Sequence, residues 1–200
     1  MHKPNEADYW DNRYEKHQTG WDLGEVSPPI YRYFQQVEEK DIAILIPGCG
    51  FGYEAEALLE MGFSNITLID IAALPVAELR DKYRNNPNIN ILQGNFFEHE
   101  GRYDIIIEQT FLCAINPELR PDYVQKCHSL LAEKGCVIGL FFNRHFDGGP
   151  PYGGDVNEYT ALFGKHFEIK KMEPCYNSAG PRVGNELFAI LIRKTYLRTS

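Results

Sequence analysis

Ile42-Ala43-Ile44-Leu45-Ile46-Pro47-Gly48-Cys49-Gly50-Phe51-Gly52 is an apolar run that ends in three alternating glycines. The run has the length and β-branched content of a buried strand, and a helical pattern, Gly52–Met61, begins as it closes. A loop leaving the carboxyl end of a first strand needs glycines for positive φ and for close approach of backbone to a ligand, and Gly48, Gly50 and Gly52 supply them. Strand, glycine loop and helix in immediate succession open a crossover unit.

From there the chain keeps alternating short apolar runs with helical patterns, which predicts an α/β fold with a mainly parallel sheet. Strands are expected at Ile42–Ile46, Ile66–Asp70, Ile89–Leu92, Tyr103–Glu108, Cys136–Phe142, Phe167–Glu173 and Glu186–Lys194. Helices are expected near Gly52–Met61, Ala73–Arg84, Arg120–Ala132 and Val156–Phe163, with Gly62, Asn85–Pro87 and Gly135 as stops. The loop Asn177–Gly184 is too short for a crossover helix, so the final strand should return antiparallel. The expected architecture is a single doubly wound, seven-stranded sheet, mainly parallel, with an antiparallel final strand. Residues 1–40 fall outside the alternation: a Tyr/Trp-rich helix near Glu6–His17, then Gly20–Pro29, then a helix near Ile30–Val37. They read as an N-terminal helical cover over the sheet. Two hundred residues with 44% hydrophobic content suit one core, so a single domain over 1–200 is expected.

Composition narrows the function. Five scattered cysteines, with no CxxC or Cys/His cluster, point to a reducing compartment and no structural metal. A net charge of −8 gives no basic footprint for phosphates, which argues against nucleic acid and for a small-molecule partner. No run of about 18 apolar residues and no leader-like apolar segment occurs, so no membrane role is expected and the cytoplasm is the expected location.

The glycine spacing is GxGxG. A dinucleotide fingerprint would place its third glycine at position 53, where Tyr53 stands, and would seat a pyrophosphate. A loop with exposed amides and carbonyls suits the amino-acid tail of S-adenosylmethionine, which carries an ammonium and a carboxylate and no phosphate. Asp70 closes the second strand eighteen residues past Gly52, where a carboxylate can accept hydrogen bonds from both ribose hydroxyls of an adenosine. Capping of the following helix is the alternative role, and ribose binding alone does not distinguish S-adenosylmethionine from NAD. After the third strand, Gly94-Asn95-Phe96-Phe97 offers a small polar side chain for the adenine edge and an aromatic for its face; a buried Phe pair is the other reading.

Over nearly its whole length the chain resembles the thiopurine S-methyltransferase superfamily, particularly its halide/thiol methyltransferase branch. The resemblance is carried by Trp10 with Tyr14, Gly20-Trp21-Asp22-Leu23-Gly24 with Ser27-Pro28, Pro47-Gly48-Cys49-Gly50, Phe111-Leu112-Cys113-Ala114-Ile115 through Pro117-Glu118-Leu119-Arg120, and Gly148-Gly149-Pro150-Pro151-Tyr152. It implies a Rossmann-like class I methyltransferase fold and S-adenosylmethionine as cofactor. It further implies that Trp10 and Trp21 close over the cofactor, that Gly48, Gly50, Asp70, Asn95 and Phe96 line its site, and that Gln109 and Arg120 lie beside it. Tyr14 stands where the family often has a second Trp, Asn95 where an Asp is usual, and Gln109 where this branch tends to have Tyr. Gly149-Pro150-Pro151-Tyr152 looks like the motif of amino-group methyltransferases but follows the fifth strand, whereas that motif follows the fourth.

The resemblance implies methyl transfer to a small soft nucleophile: a thiol, thiopurine, hydrosulfide, thiocyanate or halide. With a thiolate the charges cancel in the transition state, so water exclusion and positioning suffice and no nucleophile–base triad is needed. A weaker thiol could draw on His145 or Asp147 as base, or on Tyr152 as a hydrogen-bond donor orienting the acceptor. The family leans towards a monomer. An NAD-dependent oxidoreductase and a non-catalytic cofactor-binding relative are the competing classes; the missing glycine at 53 and the lack of a hydride-transfer set count against the first.

Overall fold

The computed structural model describes residues 6–195, so the first five residues of the expected cover lie outside the described residues. Seven strands form one sheet: β1 (Ile44–Pro47), β2 (Ile66–Asp70), β3 (Ile89–Gln93), β4 (Tyr103–Gln109), β5 (Leu131–Phe142), β6 (Phe167–Pro174) and β7 (Glu186–Arg193). Their order is β3-β2-β1-β4-β5-β7-β6, with β7 antiparallel to both of its neighbours and the other pairings parallel. The helices are α1 (Ala7–Glu15), α2 (Pro28–Phe34), α3 (Tyr53–Glu60), α4 (Ala73–Lys82), α5 (Arg120–Leu130) and α6 (Val156–Phe163). None of the described helices is long and apolar enough to cross a membrane.

Alternate residues of β1 face opposite sides of the sheet, as the strand period requires. Leu45 joins a core with Ile106, Tyr123, Val124, Phe141 and Phe163, while Ile44 and Ile46 join one with Phe34, Leu58, Leu79 and Ile138. Helices α5 and α6 therefore cover one face, and α2, α3 and α4 the other. Both layers are needed because a parallel strand such as β1, buried along its whole length, has no face it can leave in water.

Two strand boundaries differ from expectation by two residues or more. β1 starts two residues late because the Ala43 amide is taken by the Asp104 carboxylate at 2.9 Å and leaves the strand ladder there. β5 starts five residues early, since fully buried Leu131 pairs with Tyr103 and ends α5 at Leu130.

The chain leaves β1 toward β2 on one side and reaches β4 on the other, so the sheet order reverses between β1 and β4. Open α/β sheets carry their ligand crevice at such a switch point, outside the carboxyl ends of the strands. Helix α1 lies across this end. Its Asp11 carboxylate accepts the Ala73 amide at the start of α4 at 2.6 Å, and edge-to-face contacts link Trp10 to Trp21, and Tyr14 to both Trp21 and Phe51.

Candidate active site

A cavity of about 1100 Å³ opens at the carboxyl ends of β1, β2, β3 and β4. Trp10, Tyr14, Trp21, Gly48, Asp70, Asn95 and Phe96 all stand on its wall. Seven of the residues singled out from sequence thus meet in one place, although they come from five separate segments of the chain.

The glycine loop is held from below by β2. The Gly48 amide donates to the Ile69 carbonyl at 2.8 Å. Gly48 has φ +58°, and a Cβ there would collide with the Phe111 ring. Gly50 has φ +50°, and a Cβ would lie 3.0 Å from the Tyr14 hydroxyl oxygen. Both positions therefore require glycine for conformation and for space. Asp70 accepts the Gly50 amide at 2.8 Å through Oδ2 and the Ala72 amide at 2.9 Å through Oδ1. It secures the chain just before α4, whose N-cap is Ala72, and it faces the cavity. Burial pushes the Asp70 carboxyl above the ordinary range, against the pull of the Ala72 and Gly50 amides. Burial likewise raises the Tyr14 phenol far above its usual value, so Tyr14 stays a neutral hydroxyl beside the loop.

A side chamber of about 60 Å³ adjoins the glycine loop, bounded by Gly48, Gly50, Trp21, Thr110 and Gln109. The Gln109 side-chain oxygen is buried there with no hydrogen-bond partner. A buried carbonyl left unmatched costs about 1–3 kcal/mol. An ammonium group entering the chamber would satisfy it, so the amino-acid tail of S-adenosylmethionine fits what the residues offer. Gln109 faces this chamber and does not line the main cavity.

At the β3 end, Asn95 caps a short 3-10 turn, its Oδ1 accepting the Phe97 amide at 3.0 Å and its Nδ2 donating to Glu98 at 3.1 Å. Phe96 is 4% exposed, packs edge to face on Phe111 at 5.3 Å, and still borders the cavity, so it serves core and site together.

Two expected site residues take other positions. Arg120 is 4% exposed and does not line the cavity. It pairs with Glu158 at 2.5 Å and donates to the Tyr152 and Gly153 carbonyls at 3.1 and 3.0 Å. It anchors the 148–154 loop from behind. Tyr152 is also off the wall: its amide is tied to the Cys113 carbonyl at 2.6 Å and its ring folds onto Gly149, which turns Pro150 and Pro151 to the cavity instead. His145 is exposed, 3.8 Å from Asp155, and is likewise not among the lining residues.

Sequence reasoning passed over Arg182. It sits in the loop between β6 and β7, is 6% exposed, and lines both the main cavity and the side chamber. One guanidinium nitrogen donates to the Trp21 carbonyl at 2.6 Å and another faces Glu186 at 3.4 Å. A buried cation thus ties the cover to the sheet and presents charge to a cavity walled nearby by Phe142, Phe146, Pro150 and Pro151. The only sequence signal was a charged residue in a Gly/Pro turn, and its burial depends on tertiary contacts.

Glu108 carries the wall between. At 1% exposure it accepts the Phe111 and Leu112 amides at 2.9 and 3.0 Å and the Tyr123 hydroxyl. Burial pushes its carboxyl up to about 6, while those donors hold it down. Because the folded value exceeds the unfolded one, the proton favours the folded state; this contribution is present below the unfolded value of 4.5 and is lost as pH rises through 6. The expected loss is about 2 kcal/mol. Glu108→Gln should remove that slope, so urea unfolding between pH 4 and pH 7 (about the range spanned by the two values) will show wild type losing stability relative to the variant as pH rises. Parallel curves would contradict the assignment.

The sheet order, the switch-point cavity, the glycine loop and the terminal acid of β2 define a class I S-adenosylmethionine-dependent methyltransferase. The chain belongs to the thiopurine S-methyltransferase family, which it matches over residues 5–195. It is 32% identical to the Arabidopsis thaliana protein named Probable thiol methyltransferase 2, over 91% of this chain and 83% of that protein. It is 29% identical to Thiocyanate methyltransferase 1 of the same plant, over 81% of this chain and 74% of that one. Among solved structures, 1,6-didemethyltoxoflavin-N1-methyltransferase of Burkholderia thailandensis superposes with a TM-score of 0.74 at 18% identity, covering 95% of this chain and 87% of that one, a likeness of fold.

Proposed function

We propose that this S-methyltransferase methylates a small acceptor that reacts as a soft anion, a thiolate first among them, by in-line displacement. The observation that carries this reading is Arg182: a buried cation on the cavity wall, beside Phe142, Phe146, Pro150 and Pro151. Such a site stabilises an anion without hydrating it, and a thiolate, hydrosulfide, thiocyanate or halide matches it better than a neutral amine or hydroxyl.

S-adenosylmethionine, when bound, supplies a methyl group on a sulfonium. In our reading Asp70 takes its ribose hydroxyls, Gln109 and the Gly48 backbone its ammonium, Asn95 and Phe96 its adenine, and Trp10, Tyr14 and Trp21 exclude water. Arg182 holds the acceptor as its anion. The new bond joins acceptor sulfur to the methyl carbon, the carbon–sulfonium bond breaks, and its electron pair leaves with neutral S-adenosylhomocysteine. Where the acceptor begins as a thiol, its proton passes to solvent before transfer. Binding pockets for a single drug-sized ligand run to about 1000 Å³, so the cavity has room for the cofactor and an acceptor larger than a monatomic ion.

The test is S-adenosylhomocysteine formation by purified protein with thiophenol, 6-mercaptopurine, hydrosulfide, thiocyanate and iodide, against aniline and phenol as hard acceptors. Turnover confined to the soft acceptors is expected. Preference for the amine or the phenol, or no turnover with any thiol despite cofactor binding, would sink the reading.

A further inference from the structure

Four side chains form a row along one wall of the cavity. The Arg182 guanidinium lies over the Phe142 ring at 5.8 Å, Phe142 meets Phe146 edge to face at 5.1 Å, and the Arg144 guanidinium lies over the Phe146 ring at 4.7 Å. All four line the cavity. The two cations differ in setting: Arg182 is buried and balanced by Glu186, while Arg144 is exposed and forms no ion pair among the described residues.

The Arg144 backbone is fixed. Its carbonyl accepts the Gly154 amide at 3.0 Å, and bridges join both Asn143 and Arg144 to Gly154. The Phe146 ring takes one face of the guanidinium, which leaves the N–H edge for a planar anion. A positioned cation at the outer end of an aromatic wall, with a second cation at the inner end, matches a molecule that is aromatic in the middle and anionic at both ends.

We propose that Arg144 is a specificity-determining residue that receives a carboxylate, selecting aromatic thiols that carry a carboxylate on the side remote from the reacting sulfur. The inference rests on the methyltransferase reading of this cavity and names the acceptor class within it. Thiocyanate or iodide reaches only the inner cation and leaves the outer one without a partner, so the row has a use only for a larger acceptor.

The experiment compares 4-mercaptobenzoate with its methyl ester in wild type, Arg144→Ala and Arg144→Lys. The ratio of kcat/KM, acid over ester, should fall about tenfold in Arg144→Ala, the worth of one hydrogen bond between charged groups. The change should lie in KM, and Arg144→Lys should recover part of it. An unchanged ratio overturns the proposal. A second measurement does not need turnover: calorimetric binding of 4-(methylthio)benzoate to protein saturated with S-adenosylhomocysteine should weaken by about the same factor in Arg144→Ala. Arg144-dependent binding without any methylation of the thiols would keep the anion site and reject the methyltransferase reading of it. Binding indifferent to Arg144 would reject the site.

Discussion

Asp70→Ala is expected to weaken S-adenosylmethionine binding by at least about a hundredfold, the equivalent of losing two hydrogen bonds to a charged acceptor. Each Asp70 oxygen already takes one backbone amide, from Gly50 and from Ala72, and each retains a lone pair for a ribose hydroxyl. On the proposed cofactor placement the substitution removes two ligand contacts, and it releases the loop held by the Gly50 amide. Asp70→Asn keeps one acceptor oxygen and turns a carboxamide NH2 donor toward the second backbone amide, so it should sit between wild type and alanine. The acid limb separates binding from folding. With the Asp70 carboxyl raised by burial, protonation favours the folded state, so this group does not drive acid unfolding. Protonation nevertheless replaces an acceptor by a donor. Affinity for S-adenosylhomocysteine should thus fall with pH while the fold persists, and calorimetric titration alongside circular dichroism reads both. Equal affinity in Asp70→Ala and wild type would remove Asp70 from the site.

What the sequence revealed was what neighbouring residues decide. The apolar run before Gly48, the GxGxG spacing and the acid ending β2 are local patterns with one physical solution, and sheet, helices and loop follow them. The short turn before β7 told the antiparallel return in the same way. Arg120 and Tyr152 went elsewhere because their surroundings are distant in sequence: Arg120 is claimed by Glu158 and by the carbonyls of Tyr152 and Gly153, more than thirty residues on. Arg182 reaches the Trp21 carbonyl from the far end of the chain. An arginine in a turn is ordinarily solvated, and only the closed fold shows that this one is dry. Glu108 belongs to the same group: an acid inside an apolar strand is legible as an exception, but its donors Phe111, Leu112 and Tyr123 are assigned only by the path of the following loop.

Arg182→Met should lower turnover of a thiol acceptor by about two to three orders of magnitude, the usual cost of removing one preorganised stabiliser of charge from a reaction site. Part of any loss will be structural. Arg182 and Glu186 are a buried pair, with side chains 7% and 3% exposed, and deleting one partner of such a pair costs about 3–5 kcal/mol. The burial that already raises the Glu186 carboxyl would then act without the opposing guanidinium. Arg182→Met/Glu186→Gln removes the unpaired acid and should restore much of the melting temperature without restoring turnover. The pH dependence of kcat carries the chemical argument, because it reports ionisations of the bound complex. A cation beside the acceptor lowers the pH at which a bound thiol ionises. In the double variant the rise of kcat with a thiol acceptor should therefore move to higher pH, toward the value of the thiol in water. With iodide, which has no proton to lose, the double variant should be slower at every pH without any such displacement. Recovery of thiol turnover together with stability would reduce Arg182 to a tie between the cover and the sheet, whereas a displaced thiol profile with an undisplaced iodide profile identifies the guanidinium as the group that holds the nucleophile as its anion.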